Sequence, residues 1–161
     1  MAMRITILAV GKIKEKFFRD AIAEYEKRLS RYCKFEIIEV ADEKTPDNAS
    51  AAEEEQIKLK EAERMLNKIN PDAYVITLEI LGREMDSVSF SEMIQNLGVS
   101  GKSQIVFVIG GSLGLHEKVS KRSNRKVSFS PMTFPHQLMR VILCEQIYRG
   151  YRIMNCEPYH K

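Results

Sequence analysis

The sequence predicts one α/β domain, a mostly parallel sheet with helices on both of its faces. Two observations carry this. Short β-branched runs alternate with segments whose apolar residues recur at helical spacing, and strands alternating with helices imply parallel pairing covered on both sides. The length of 161 residues, 44% of them apolar and 29% charged, suits one core rather than two.

The elements follow in order. Residues 4–10 (Arg-Ile-Thr-Ile-Leu-Ala-Val) read as a strand ended by Gly11. From about 15 to 32, Phe17, Phe18, Ala21, Ile22, Tyr25 and Leu29 mark one face of a helix. Residues 35–40 form a second strand, and 42–50, with Pro46 and Asn48, a loop. A charged helix over 51–69 buries Ile57, Ala62, Met65, Leu66 and Ile69 and is stopped by Asn70-Pro71-Asp72. A third strand over 73–80 leads to Leu81-Gly82-Arg83, a short helix covers 89–97, and 104–109 is an almost unbroken apolar strand. A short strand is expected over 126–130, a last helix over 135–151, and a tail from 152 to 161. No internal repeat or linker divides the chain.

No apolar run approaches the length of a membrane span, and the N-terminal stretch lacks the features of a signal peptide, so the chain is expected in the cytoplasm. Cys33, Cys144 and Cys156 are odd in number and widely spaced, which predicts neither a disulfide framework nor a zinc site. The net charge of +3 conceals an asymmetry. Residues 1–100 hold 15 basic and 19 acidic side chains, residues 101–161 hold 10 and 3. A polyanion would be drawn to the C-terminal third, although a basic helix face balanced by an acidic neighbour would leave the same arithmetic.

Ligands of open α/β sheets bind at the carboxyl ends of strands. After the first strand stands a single glycine, in Val10-Gly11-Lys12, which speaks against a dinucleotide fold and the common methyltransferase arrangement; no GxxxxGK[ST] is present either. The glycines gather instead after the fourth strand, in Gly110-Gly111-Ser112-Leu113-Gly114, either as a tight turn or as a loop that lets a ligand lie against backbone amides. Pro131 and Pro135 stiffen the segment before the last helix. His136 then falls in the first helical turn, with Arg140 one turn on. His136 is a candidate proton acceptor or a satisfied helix-start histidine; Arg140 is a candidate for phosphate contact, with buried or interfacial ion pairing the other reading for it and for Glu145. The last helix is apolar on nearly every side, which predicts passage through the core or burial against a second subunit.

Taken in order, Ile7-Leu-Ala-Val-Gly-Lys12, Val75-Ile-Thr-Leu-Glu79, Phe107-Val-Ile-Gly-Gly-Ser112 with Gly114, Phe134-Pro-His-Gln137 with Arg140, Glu145-Gln-Ile-Tyr-Arg149 and Pro158-Tyr-His160 resemble the ribosomal large-subunit RNA pseudouridine N3-methyltransferases, the minimal members of the SPOUT class of knotted methyltransferases. The resemblance spans about residues 4–161. It implies a single SPOUT domain over 1–161 with a trefoil knot in the cofactor-binding part, about 73–161, a rare exception to ordinary topology. It further implies a homodimer, S-adenosyl-L-methionine as methyl donor, no metal, and as target a pseudouridine in the helix 69 hairpin of 23S rRNA on the assembled ribosome. Leu78, Gly110 and the run Phe129, Ser130, Pro131, Met132, Thr133 and Phe134 match the family's cofactor segments, with Gly111 and Gly114 flanking them in the glycine loop. His136, Arg140, Tyr159 and His160 match the substrate side, the tail reaching the partner's site. His160 is the favoured acceptor of the N3 proton, His136 the alternative. Met1 and Ala2 precede the family's usual start, which makes Met3 the expected native first residue.

Arg140, Arg149, Arg152 and the cluster from Lys121 to Lys126 are candidates for phosphate contact, the cluster equally for a solvated loop, and Tyr159 for stacking on a base. The competing readings are a non-catalytic ribosome-binding module and the same fold acting on a tRNA.

Overall fold

In a computed structural model, residues 2–161 are described; Met1, and with it the question of the native start, lies outside them. Five strands, β1 (Arg4–Val10), β2 (Lys34–Val40), β3 (Tyr74–Glu84), β4 (Gln104–Ile109) and β5 (Arg125–Ser128), form one sheet in the order β2-β1-β4-β3-β5, every pair parallel. Five helices join them: α1 (Lys16–Leu29), α2 (Ala51–Leu66), α3 (Ser87–Val99), α4 (Glu117–Arg122) and α5 (His136–Met154).

Strand alternation sorts the core into two halves. Ile5, Ile7 and Ala9 of β1, with Ile105, Phe107 and Ile109 of β4, face a layer that includes Ile22, Phe90, Ile94, Leu143 and Ile147 from α1, α3 and α5. Leu8 and Val10, with Val106 and Val108, face Ala62 and Met65 of α2 and Val119 of α4. Both faces of the central strands are therefore apolar, the pattern of a buried parallel sheet. Thr6, on the second face, satisfies its hydroxyl by donating to Glu36 at 3.1 Å.

Two features depart from expectation. Residues 117–122 form a helix that takes in Lys121 and Arg122 of the 121–126 cluster, for which a solvated loop was one reading, and Arg125 and Lys126 open β5. His116 caps the helix, its Nδ1 accepting from the Lys118 amide at 3.0 Å, and Val119 is the buried anchor. The third strand also runs on past Ile80 to Glu84. Val127 is the register partner of both Leu78 and Arg83, so β3 bends round β5 and meets it twice. Gly82 makes that passage possible, because a Cβ there would lie 2.8 Å from both the backbone N and C of Val127. Among the described residues no helix is long and apolar enough to cross a membrane.

Candidate active site

The carboxyl ends of β3, β4 and β5 open into a cleft of about 820 Å³. Its walls are residues 78–81 at the end of β3, the glycine loop 110–114, and the segment from Ser128 to His136, with Met139 from α5. The loop is drawn tight: the Gly114 amide donates to the Gly111 carbonyl at 3.0 Å, and Gly114 takes a φ of +84°. A Cβ on Gly110 would stand 2.8 Å from the Gly114 carbonyl carbon and 3.1 Å from Leu115 Cδ2, so only glycine fits. Gly111 in turn lies against the buried carboxylate of Glu61, whose Oε1 would be 3.2 Å from a Cβ at that position. Burial pushes the Glu61 carboxyl up from its usual range, although it accepts from the Glu43 amide at 3.1 Å.

Of the ten residues expected to hold the cofactor, nine line this cleft; Pro131 does not. Glu79, not among the site residues expected from the sequence, also stands on its walls, as does Ser112 of the expected loop. Glu79 is fixed by two hydroxyl donors, Thr77 Oγ1 at 2.6 Å and Ser120 Oγ at 2.8 Å. Its signal in the sequence was only its place at the end of a strand.

His136 also faces the cleft. Burial, and then the Arg140 guanidinium, hold its imidazole below the usual histidine range, and Asp42 opposes this. Arg140 itself is absent from the cleft wall. It is 0% exposed, pairs with Glu39, and donates to the carbonyls of Val10 at 2.9 Å and Gly11 at 2.7 Å. It ties the first turn of α5 to the ends of β1 and β2, the ion-paired alternative of its two sequence readings.

Tyr159 and His160 stand elsewhere. The tail folds back onto α5, where the Tyr159 hydroxyl donates to Glu145 at 3.1 Å and its ring packs edge-on to Tyr148 at 4.9 Å. Burial, with the Glu145 charge, pushes the phenol up to about 12. His160 Nδ1 is 3.1 Å from Arg149, whose guanidinium lies over the Tyr159 ring at 4.7 Å. From His136 to the Glu145–Arg149 stretch is roughly 14–20 Å along the helix axis at 1.5 Å per residue. Within one chain, the tail and His136 are not brought together.

Most arginines offered for phosphate contact are committed internally. Arg149 holds Glu145 at 2.6 Å, Arg152 holds Glu157 at 2.7 Å, and Arg122 donates to the carbonyls of Asn70, Pro71 and Ala73. Burial raises the thiols of Cys33 and Cys144 to about 11 and about 12, so neither is a ready nucleophile. Among the described residues no three His, Cys, Asp or Glu side chains are grouped to hold a metal ion.

Comparison with known proteins identifies the family. The family model described as "Predicted SPOUT methyltransferase" matches residues 3–160. The chain is 62% identical to the ribosomal RNA large subunit methyltransferase H of Clostridium tetani, over 99% of this chain and 100% of the relative. It is 60% identical to the ribosomal RNA large subunit methyltransferase H 1 of Clostridium perfringens and 59% identical to the corresponding protein of Clostridium kluyveri, with the same coverage. The chain belongs to the SPOUT methyltransferase family, in the group of the ribosomal RNA large subunit methyltransferases H.

Proposed function

We propose that this chain is an S-adenosyl-L-methionine-dependent methyltransferase that modifies N3 of a pseudouridine in the helix 69 hairpin of 23S rRNA on the assembled ribosome, working as a homodimer in the cytoplasm. The observation that carries the reading is the glycine-floored cleft, walled by nine of the ten residues that the family resemblance names for the cofactor. Its volume suits a nucleoside joined to an amino acid. The side-chain-poor loop at Gly110–Gly114 lets such a molecule lie against backbone. The close passage of Gly82 over Val127 supports the knotted C-terminal half that the family implies.

Bound in the cleft, S-adenosyl-L-methionine supplies an electrophilic methyl group on a sulfonium. The protein's work is then to orient the base and to take the N3 proton. His136 faces the cleft and is held neutral by its burial, the state a proton acceptor needs. Arg140 fixes the helix turn that carries it. Tyr159 and His160 serve the site of the partner subunit, since on their own chain they lie against Glu145 and Arg149. The half-buried apolar residues Leu138, Val141 and Ile142 of α5 offer a surface for that partner.

Mass spectrometry of ribosomal RNA from a strain lacking the gene tests the proposal. The expected result is the loss of one methyl group from one pseudouridine of the large-subunit RNA, restored by the intact gene. An unchanged methylation pattern refutes it.

A further inference from the structure

With Arg140, Arg149, Arg152 and Arg122 bound internally, much of the basic C-terminal third is not free to grip an anion. A compact set of available cations lies at the other end of the chain. Residues 12–19 carry Lys12, Lys14, Lys16 and Arg19 against the single acid Glu15. Among the described residues the ammonium groups of Lys12 and Lys14 make no hydrogen bond or ion pair, and Lys16 meets only Asp20, in an exposed pair at 2.7 Å that contributes little. Directly after Lys16 comes Phe17, 64% exposed, its ring 4.4 Å from that of the half-buried Phe18.

The backbone beneath these side chains is hydrogen-bonded to its neighbours. The Ile13 amide donates to Glu39 at 3.3 Å and the Lys14 amide to Gln137 at 3.4 Å, while Arg19 donates to the carbonyls of Ile13 and Lys14 at 3.2 and 2.7 Å. Arg140 holds Gly11 from below. Gln137 directly follows His136, so the loop borders the cleft through the first turn of α5. One exposed aromatic ring near two unpaired lysines and a weakly paired one, on a hydrogen-bonded backbone beside a cleft, suits single-stranded nucleic acid, where bases stack and phosphates meet cations. Covering Phe17 with a second copy of the chain would instead desolvate lysines that have no acid to pair with.

We propose that the loop from Lys12 and the first turn of α1 form a single-stranded RNA platform, on which Phe17 stacks an unpaired base while Lys12, Lys14 and Lys16 contact the flanking phosphates. This rests on the proposed action on ribosomal RNA and assigns the surface that docks it.

The test is binding to assembled ribosomes purified from cells lacking the protein, measured by filter retention over a series of salt concentrations. Phe17→Ala is expected to weaken binding roughly tenfold, with Phe17→Tyr restoring it. The double variant Lys12→Gln/Lys14→Gln is expected to flatten the plot of log affinity against log salt by roughly 1.4–1.8. Cofactor affinity by calorimetry and molar mass by light scattering are expected to stay at wild-type values. Wild-type affinity and slope in both variants overturn the platform while leaving the methyltransferase reading intact. A change of molar mass in Phe17→Ala overturns it in favour of an interface between copies. A wild-type chain that binds no assembled ribosomes overturns both proposals.

Discussion

Replacing Gly110 by alanine adds one methyl group at the tightest point of the cleft floor. That Cβ would meet the Gly114 carbonyl carbon at 2.8 Å, the Gly114 oxygen at 3.0 Å and Leu115 Cδ2 at 3.1 Å. Two of the three are backbone atoms, and the Gly114 amide is bonded to Gly111 at 3.0 Å, so the loop must open by several tenths of an ångström to admit the methyl. Overpacking of this kind costs roughly 1–3 kcal/mol. In a chain of this size that lowers Tm by about 2–12 °C. Because the displaced atoms form the cleft floor, cofactor affinity should fall about tenfold or more, beyond any general loss of stability. Gly101→Ala is the control: outside the cleft, it meets nothing within 4 Å and bears only the strain of φ +90°, of order 1–2 kcal/mol. Calorimetric titration with S-adenosyl-L-methionine, at a temperature where every variant is folded, reads the difference. Wild-type affinity in Gly110→Ala would falsify the placement of the cofactor on this loop.

Gly82→Ala, with three backbone atoms of Lys126 and Val127 at 2.8–2.9 Å, should destabilise by about 3 kcal/mol, read as an earlier thermal transition, and an unshifted Tm would count against the close crossing of β3 and β5. Arg140→Leu strips the Val10 and Gly11 carbonyls and Glu39 of their donors, so a loss of about 3 kcal/mol in urea unfolding is expected; a loss below about 1 kcal/mol would contradict its role as a tie. The His136 imidazole is held below its unfolded value of about 6.5. Its contribution to stability is therefore complete above that pH and is lost as pH falls towards the folded value, since the unfolded chain binds the proton first. His136→Gln should flatten the fall in stability below about pH 6.5, and an unchanged pH profile would show that burial is not what holds the ring neutral.

Much of the fold was legible because the central strands bury both faces. The mostly apolar segments of β1 and β4 match their expected limits to the residue. What escaped were features with no local signal. Helix α4 is six residues with one buried apolar side chain, too short to show a period, and its cap is a histidine rather than the usual Ser, Thr, Asp or Asn. The extension of β3 includes Leu81, 98% exposed, and Gly82; only the return of β5, some forty residues later, makes it a strand. The glycine loop stood out by its position, directly after the most apolar strand and at the carboxyl ends of the sheet, where ligands of open α/β folds bind. Charge misled: the arithmetic that made the C-terminal third attractive to a polyanion cannot tell a free arginine from Arg140, whose partners Glu39, Val10 and Gly11 lie about a hundred or more residues away.

The central claim is transfer of a methyl group from the cleft to one base of the large-subunit RNA. Incubating the protein and S-adenosyl-L-methionine carrying a labelled methyl group with ribosomes from cells lacking the gene, then digesting the RNA to nucleosides, tests it directly. The expected result is label in a single N3-methylpseudouridine from the helix 69 hairpin, absent when the ribosomes come from cells that keep the gene. Label in another nucleoside, or in none, contradicts it.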